Sequence, residues 1–319
     1  MGLLDRFRRP GAADAPPDAG GRTGTSGPDD PAAWTDPAEV GPQSFARLGA
    51  LAERGAPTGE QRAEVARVLR LHGVPGDLAG TFTADMADGI LLSEHGAVDE
   101  RLRLGGPPVL PAGEAWPHSH DGRPLSFVAA WDLAALPELS PLPRAGTLLL
   151  FWDRDFPRDD RMDFVTATRV FLLAPGASTA PAPRPAGTVA FGPIPLRPLR
   201  MPFVVDGERL RDDVPDDVPG LDLLDMLLEQ YGSHALLGAS RDIQGPVLDE
   251  VAHWLAQGHP ETRERYSPAE RAGEGWAFLA QIDETAGFEL ADVGALYLVI
   301  PRVDLEAARF DRVMGILQT

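Results

Sequence analysis

One pattern is written twice in this sequence, and it limits the fold more than any other feature. Residues 127–132 read F-V-A-A-W-D, and residues 278–283 read F-L-A-Q-I-D. After each comes a turn-rich interval, then a glycine opening a second apolar run: Gly146-Thr-Leu-Leu-Leu-Phe in one case, Gly294-Ala-Leu-Tyr-Leu-Val in the other. Unbroken apolar runs of this length predict strands covered on both faces. Both copies place a carboxylate, Asp132 or Asp283, directly after the strand, where a turn or cap has to receive it. The expected fold is therefore α+β, with a duplicated, largely antiparallel sheet core, flanking helices and an N-terminal helical segment. A pseudo-twofold should lay 127–131 on 278–282 and 147–151 on 295–299.

The rest of the chain sorts around that core. Residues 10–42 are rich in Gly, Pro, Asp and Ser with almost nothing to bury, and with a frayed terminus ahead of them they predict a disordered tail over 1–42. Residues 43–100 read as a helical segment. Phe45, Leu48 and Leu51 share one face, and a second helix capped at Thr58 carries Val65, Val68, Leu69 and His72 before stopping at Gly73. A third helical stretch is expected within 77–95. The domain proper spans 101–319, with halves at about 104–173 and 234–319, and strands expected at 126–131, 147–152 and 164–173. Between the halves, residues 174–202 carry eight prolines. Each removes a ladder donor, which predicts an extended connector with only short strands near 188–191 and 199–205. Helices are expected at 221–231, 246–256 and 304–309.

Composition closes off much chemistry. There is no cysteine, so thiol catalysis, disulfides and cysteine-ligated zinc are excluded. All 29 basic residues are Arg, which leaves no Schiff-base amine and no P-loop lysine. The absence of Lys and Asn, whose codons are A-rich, points to a GC-rich genome. No apolar run reaches the ~18 residues of a membrane span, and the N-terminus lacks a signal-peptide core, so a soluble cytoplasmic protein is expected. A formal charge of −19 argues against nucleic acid and, if it is more than a solubility device, toward a basic protein partner.

Residues 104–152 contain L-G-G-P-P-V-L-P-A-G-E-A-W-P, then G-R-P-L-S-F-V-A-A-W-D-L, then G-T-L-L-L-F. Together with His234, L-L-G at 236–238, Ile243-Gln244, L-A-Q-I-D at 279–283, Asp292, Gly294, Phe310 and the closing Leu317-Gln318, this resembles the YwqG-like family, a bacterial domain of unknown function. The resemblance runs from about residue 80 to the end. It implies an α+β fold with a duplicated core and carries no assigned activity. Ala129-Ala130 stands where the family pattern has A-Q, and Leu290-Ala291 where Trp-Gly is frequent.

Candidate chemistry is sparse. His118 and His120, with Asp121 beside them, are the best metal candidate, yet no further histidine pair supplies the remaining ligands; no metal and no cofactor are expected. Asp153, Asp155, Asp159 and Asp160 lack the spacing of a calcium loop and read as a solvated hairpin loop. No G-x-S-x-G nucleophile motif occurs. The remaining set is His234, Gln244, Gln281, Asp283 and Asp292, polar groups in or beside apolar strands. Such groups usually satisfy loop backbone, and they are also able to line a binding pocket. The reading is non-catalytic recognition of a protein or small ligand, in one version an acidic immunity-type partner of a basic protein. The rival is a hydrolase or metal-dependent enzyme using His118 and His120.

Overall fold

The computed structural model describes residues 46–153, 164–205, 234–285 and 294–319. The expected tail, the expected helix at 221–231 and Asp292 lie outside the described residues. The chain divides into two compact units, Met1–Met86 with Gly207–Gln230, and Ala87–Asp206 with Tyr231–Thr319.

In the first unit three helices are described: α1 (Ala46–Glu53), α2 (Thr58–Leu71) and α3 (Gly76–Ala84). Val65, Val68 and Leu69 are buried, as their helical spacing requires. The N-cap of α2 is Pro57 rather than Thr58, which is the first helical residue. Proline's fixed φ suits that entry, and its missing N–H costs nothing there. Buried Gln61 donates Nε2 to the Ala56 carbonyl at 2.9 Å, tying the α1–α2 turn to the helix.

The second unit is built on a ten-stranded, wholly antiparallel sheet. Its strands are β1 (Ala87–Ser93), β2 (Asp99–Leu104), β4 (Ser126–Asp132), β5 (Thr147–Trp152), β6 (Thr168–Leu173), β8 (Ile194–Phe203), β9 (His234–Leu237), β10 (Trp276–Asp283), β11 (Ala295–Pro301) and β12 (Met314–Gln318). A short outer pair, β3 (Val109–Pro111) with β7 (Thr179–Pro181), stands apart. The order is β12-β11-β10-β9-β1-β8-β2-β4-β5-β6. The sheet curls until its outer strands meet, Gly315 N–H donating to Thr168 Oγ1 at 2.9 Å, so the barrel is nearly closed. Helices α4 (Val247–Gln257), α5 (Pro260–Arg263), α6 (Pro268–Arg271) and α7 (Arg302–Glu306) follow.

That order is symmetric about the β1–β8 pair when β9, β10, β11 and β12 are matched with β2, β4, β5 and β6, and the match extends to the strand register. In the β4–β5 pair, Phe127 faces Phe151 and Ala129 faces Leu150, with a bulge between. In the β10–β11 pair, Phe278 faces Val299 and Ala280 faces Leu298, with the bulge at the same place. Bulges set local twist and aim, so matching bulges mean matching geometry. After the carboxylate, Leu133 N–H donates to Gly146 O at 2.8 Å and Glu284 N–H to Gly294 O at 3.3 Å. Both glycines are required by close approach: a Cβ on Gly146 would lie 2.6 Å from Leu173 O, and one on Gly294 2.5 Å from Gln318 O. Past β2 the chain turns through Gly105 and Gly106 at φ 59 and 79; past β9 it turns through Leu237 and Gly238 at φ 55 and 78.

Two expectations need correction. Residues 87–93, inside the stretch expected to be helical, form β1. The run I-L-L is too short for periodicity to distinguish strand from helix, and its partners β8 and β9 are far away in sequence. Nor do the prolines prevent a long strand, since β8 passes through Pro195, Pro198 and Pro202. Pro198 and Pro202 are placed by the two-residue period on one edge. Lacking N–H groups, they stand where no bond to β1 is made, and β2 reaches that edge only at 194–196. The repeating set therefore begins earlier than 104 and 234. β1 and β8 are equivalent first strands, and each is exchanged: β1 pairs with β9 of the later half and β8 with β2 of the earlier one.

Candidate functional site

The two halves cover their outer faces differently. In the earlier half Phe127, Ala130, Leu149 and Phe151 pack outward with Leu110, Leu125 and Trp116 in an apolar cluster, the Arg103 guanidinium lying over the Phe127 ring. In the later half the corresponding positions are polar. Gln281 occupies the place of Ala130, Tyr297 that of Leu149 and Gln318 that of Leu173, by strand register.

These side chains hold a single loop, residues 239–245. Gln281, 1% exposed, accepts from Arg241 N–H at 2.8 Å through Oε1 and donates Nε2 to Asp283 Oδ1 at 2.7 Å. Tyr297 donates its hydroxyl to Arg241 O at 2.5 Å. Burial, with Asp283 and Asp242 nearby, pushes the Tyr297 phenol well above its ordinary value and keeps it a donor. Gln318, 0% exposed, accepts from Ile243 N–H at 2.8 Å and Gln244 N–H at 3.2 Å. Its Nε2 donates to Gly245 O at 2.9 Å and to Glu250 Oε1 at 2.7 Å. The other oxygen of Glu250 receives Trp254 Nε1–H at 2.7 Å. Both buried amides of this network, Gln281 and Gln318, are satisfied, as burial demands.

His234 lies at the start of β9, 2% exposed. Its Nδ1 accepts the backbone N–H of Asp283 at 3.2 Å, which leaves the proton on Nε2, 3.3 Å from Glu94 Oε1. The His234 hydrogen bond, ahead of one from Thr285, draws the Glu94 carboxyl below its usual value despite partial burial. Of the five residues singled out from sequence, His234, Gln281 and Asp283 form one linked set. Gln244 reaches elsewhere, donating Nε2 to Thr319 O at 2.7 Å. Glu94, Arg241, Tyr297 and Gln318 were not singled out. Arg241 stands 3.8 Å from the Asp283 carboxylate.

His118 and His120 do not converge. His118 Nδ1 lies 2.7 Å from Trp116 O, while the His120 ring packs on His259 with centroids 3.9 Å apart. Asp121 accepts from Ser119 Oγ at 2.5 Å and Arg123 Nε at 2.6 Å. Among the described residues no group of three or more His, Cys, Asp or Glu is arranged to hold a metal ion. Asp153 is not solvated as expected: it is buried and paired with Arg123 at 2.9 Å.

A near-closed antiparallel sheet with two matched halves, one of them carrying a saturated polar network, defines the class. Residues 102–319 match the model of a family described as a domain of unknown function (DUF1963), and the chain belongs to that family. No curated protein matches it. Among the described residues no helix is long and apolar enough to cross a membrane.

Proposed function

We propose that the chain is a YwqG-like protein of the cytoplasm that works by recognition rather than catalysis, with a basic protein as its partner. The observation that carries this reading is the saturation of the polar network. Both ring nitrogens of His234 and both amide atoms of Gln281 and of Gln318 are engaged by the protein itself. A general base needs a free lone pair facing substrate, and His234 offers none. The charge of −19, from 48 acidic against 29 basic residues, favours a cationic partner over a polyphosphate one.

The test has two arms. Full-length protein is assayed with ester, amide and phosphoester probes; a turnover lost in His234→Gln, or in the double variant His118→Ala, His120→Ala, overturns the non-catalytic reading. Proteins retained on immobilised chain are eluted with rising salt, purified and titrated back. A saturable one-to-one complex with a protein of high isoelectric point, weakening as salt rises, is the expected result.

A further inference from the structure

We infer that the loop 239–245 is a preformed docking surface for that basic partner, with Ile243 as its apolar anchor. Ile243 is 44% exposed, a large aliphatic side chain facing solvent. A lone exposed aliphatic residue is ordinarily unremarkable. This one differs in what lies beneath it: its own N–H and that of Gln244 end on Gln318, and both backbone groups of Arg241 are held by Gln281 and Tyr297. The matched half builds the same strands with Ala130, Leu149 and Leu173 at these positions, so strand pairing alone does not call for the three polar residues. Their effect is to fix an exposed loop in one shape. Fixing it in the free protein removes the ordering cost from association.

The rim supplies the partner's chemistry. Asp242, next to Ile243 in the chain, is exposed, and a further exposed carboxylate, Asp249, stands in the first turn of the helix that follows the loop. An apolar anchor beside an exposed carboxylate fits a shallow hydrophobic pocket rimmed by Lys or Arg. This inference rests on the recognition reading above, and the experiment separates the two. A benzophenone side chain is placed at Ile243 and, as controls, at Val98 and Val303, which are 37% and 57% exposed. Each full-length variant is irradiated in extract of the cells that make the chain. The protein cross-linked from 243 is identified, purified and titrated against Ile243→Asp, Asp242→Arg and Val98→Asp.

The expected result is a protein of high isoelectric point, captured from 243 and not from the controls. Its affinity falls at least tenfold in Ile243→Asp and Asp242→Arg and holds in Val98→Asp, with melting temperatures unchanged. A basic protein captured from 98 or 303, with affinity indifferent to Ile243→Asp, overturns the docking surface and leaves the recognition reading standing. A non-basic protein captured from 243 overturns the partner assigned to it. No basic protein from any position overturns both.

Discussion

The two halves of the sheet share register, bulge and turn, and differ in what they do with their outer face. The earlier half buries Ala130, Leu149 and Leu173 under apolar side chains. The later half places Gln281, Tyr297 and Gln318 at the same positions and spends them on loop backbone. One skeleton thus accepts either solution, apolar packing or a saturated polar network, provided that no buried group is left unpaired. The polar version demands more, because each member depends on the others. That asymmetry is open to direct test.

The largest effect should come from Gln318→Leu, which gives the later half the residue type of the earlier one at position 173. It leaves the N–H groups of Ile243 and Gln244, the Gly245 carbonyl and one Glu250 oxygen without their partner. With about 1–3 kcal/mol for each buried group left unmade, partly recovered by water at the loop, a loss of about 4 kcal/mol is expected. A urea-unfolding loss under about 1 kcal/mol would show that the two faces are interchangeable and the network idle.

Next is the pair of glycines that the halves have in common. Gly146→Ala brings a Cβ against Leu173 O and also forces a side chain onto φ +110. Gly294→Ala brings a Cβ against Gln318 O at a φ outside the left-handed region, and its other neighbour is Thr319. Costs of about 3 and about 2 kcal/mol are expected, from overpacking and, at 146, added backbone strain. Equal costs, measured by thermal unfolding, would mean that the backbone at 146 relaxes.

How much of this was legible beforehand follows from range. The strands at 126–132, 147–152, 276–283 and 295–301 were readable because local apolar runs define them. β1 was not, and of β8 only the end near 199–203 was expected, because both strands are paired only with strands from the other half. The same long-range pairing hid Glu94, which reaches His234 across that exchange. Gln281 and Asp283 were visible as polar interruptions of an apolar strand. Tyr297 was not, since its ring passes as one more apolar residue and only the hydroxyl betrays its role.

A smaller effect sharpens the same contrast. Tyr297→Phe removes one hydroxyl donor and keeps the ring, leaving the Arg241 carbonyl unpaired at a partly exposed loop. About 1 kcal/mol is the expected loss. Hydrogen exchange should quicken at residues 241–245 and stay unchanged at 129–131. Quickening in both halves would mean that the loop is not a local unit.

The smallest effect is a pH dependence confined to the later half. At the position of His234 the earlier half has Leu102, buried and without charge. Glu94 is held below the ordinary glutamate value of 4.5 in the folded protein, first by its bond to His234 and then by Thr285. A carboxyl whose folded pKa lies below its unfolded one stabilises the fold fully above the unfolded value. That stabilisation fades as pH falls from 4.5 through the folded value, where both states become protonated. Glu94→Gln cannot titrate, so the stability difference between wild type and variant should be flat at neutral pH and shrink toward zero as acid is added below 4.5. Glu94 is partly exposed, so the plateau should be under about 1 kcal/mol. Denaturant midpoints of both proteins at stepped pH measure it. A difference that grows in acid would reverse the sign and place the acid-labile contact on some group other than Glu94.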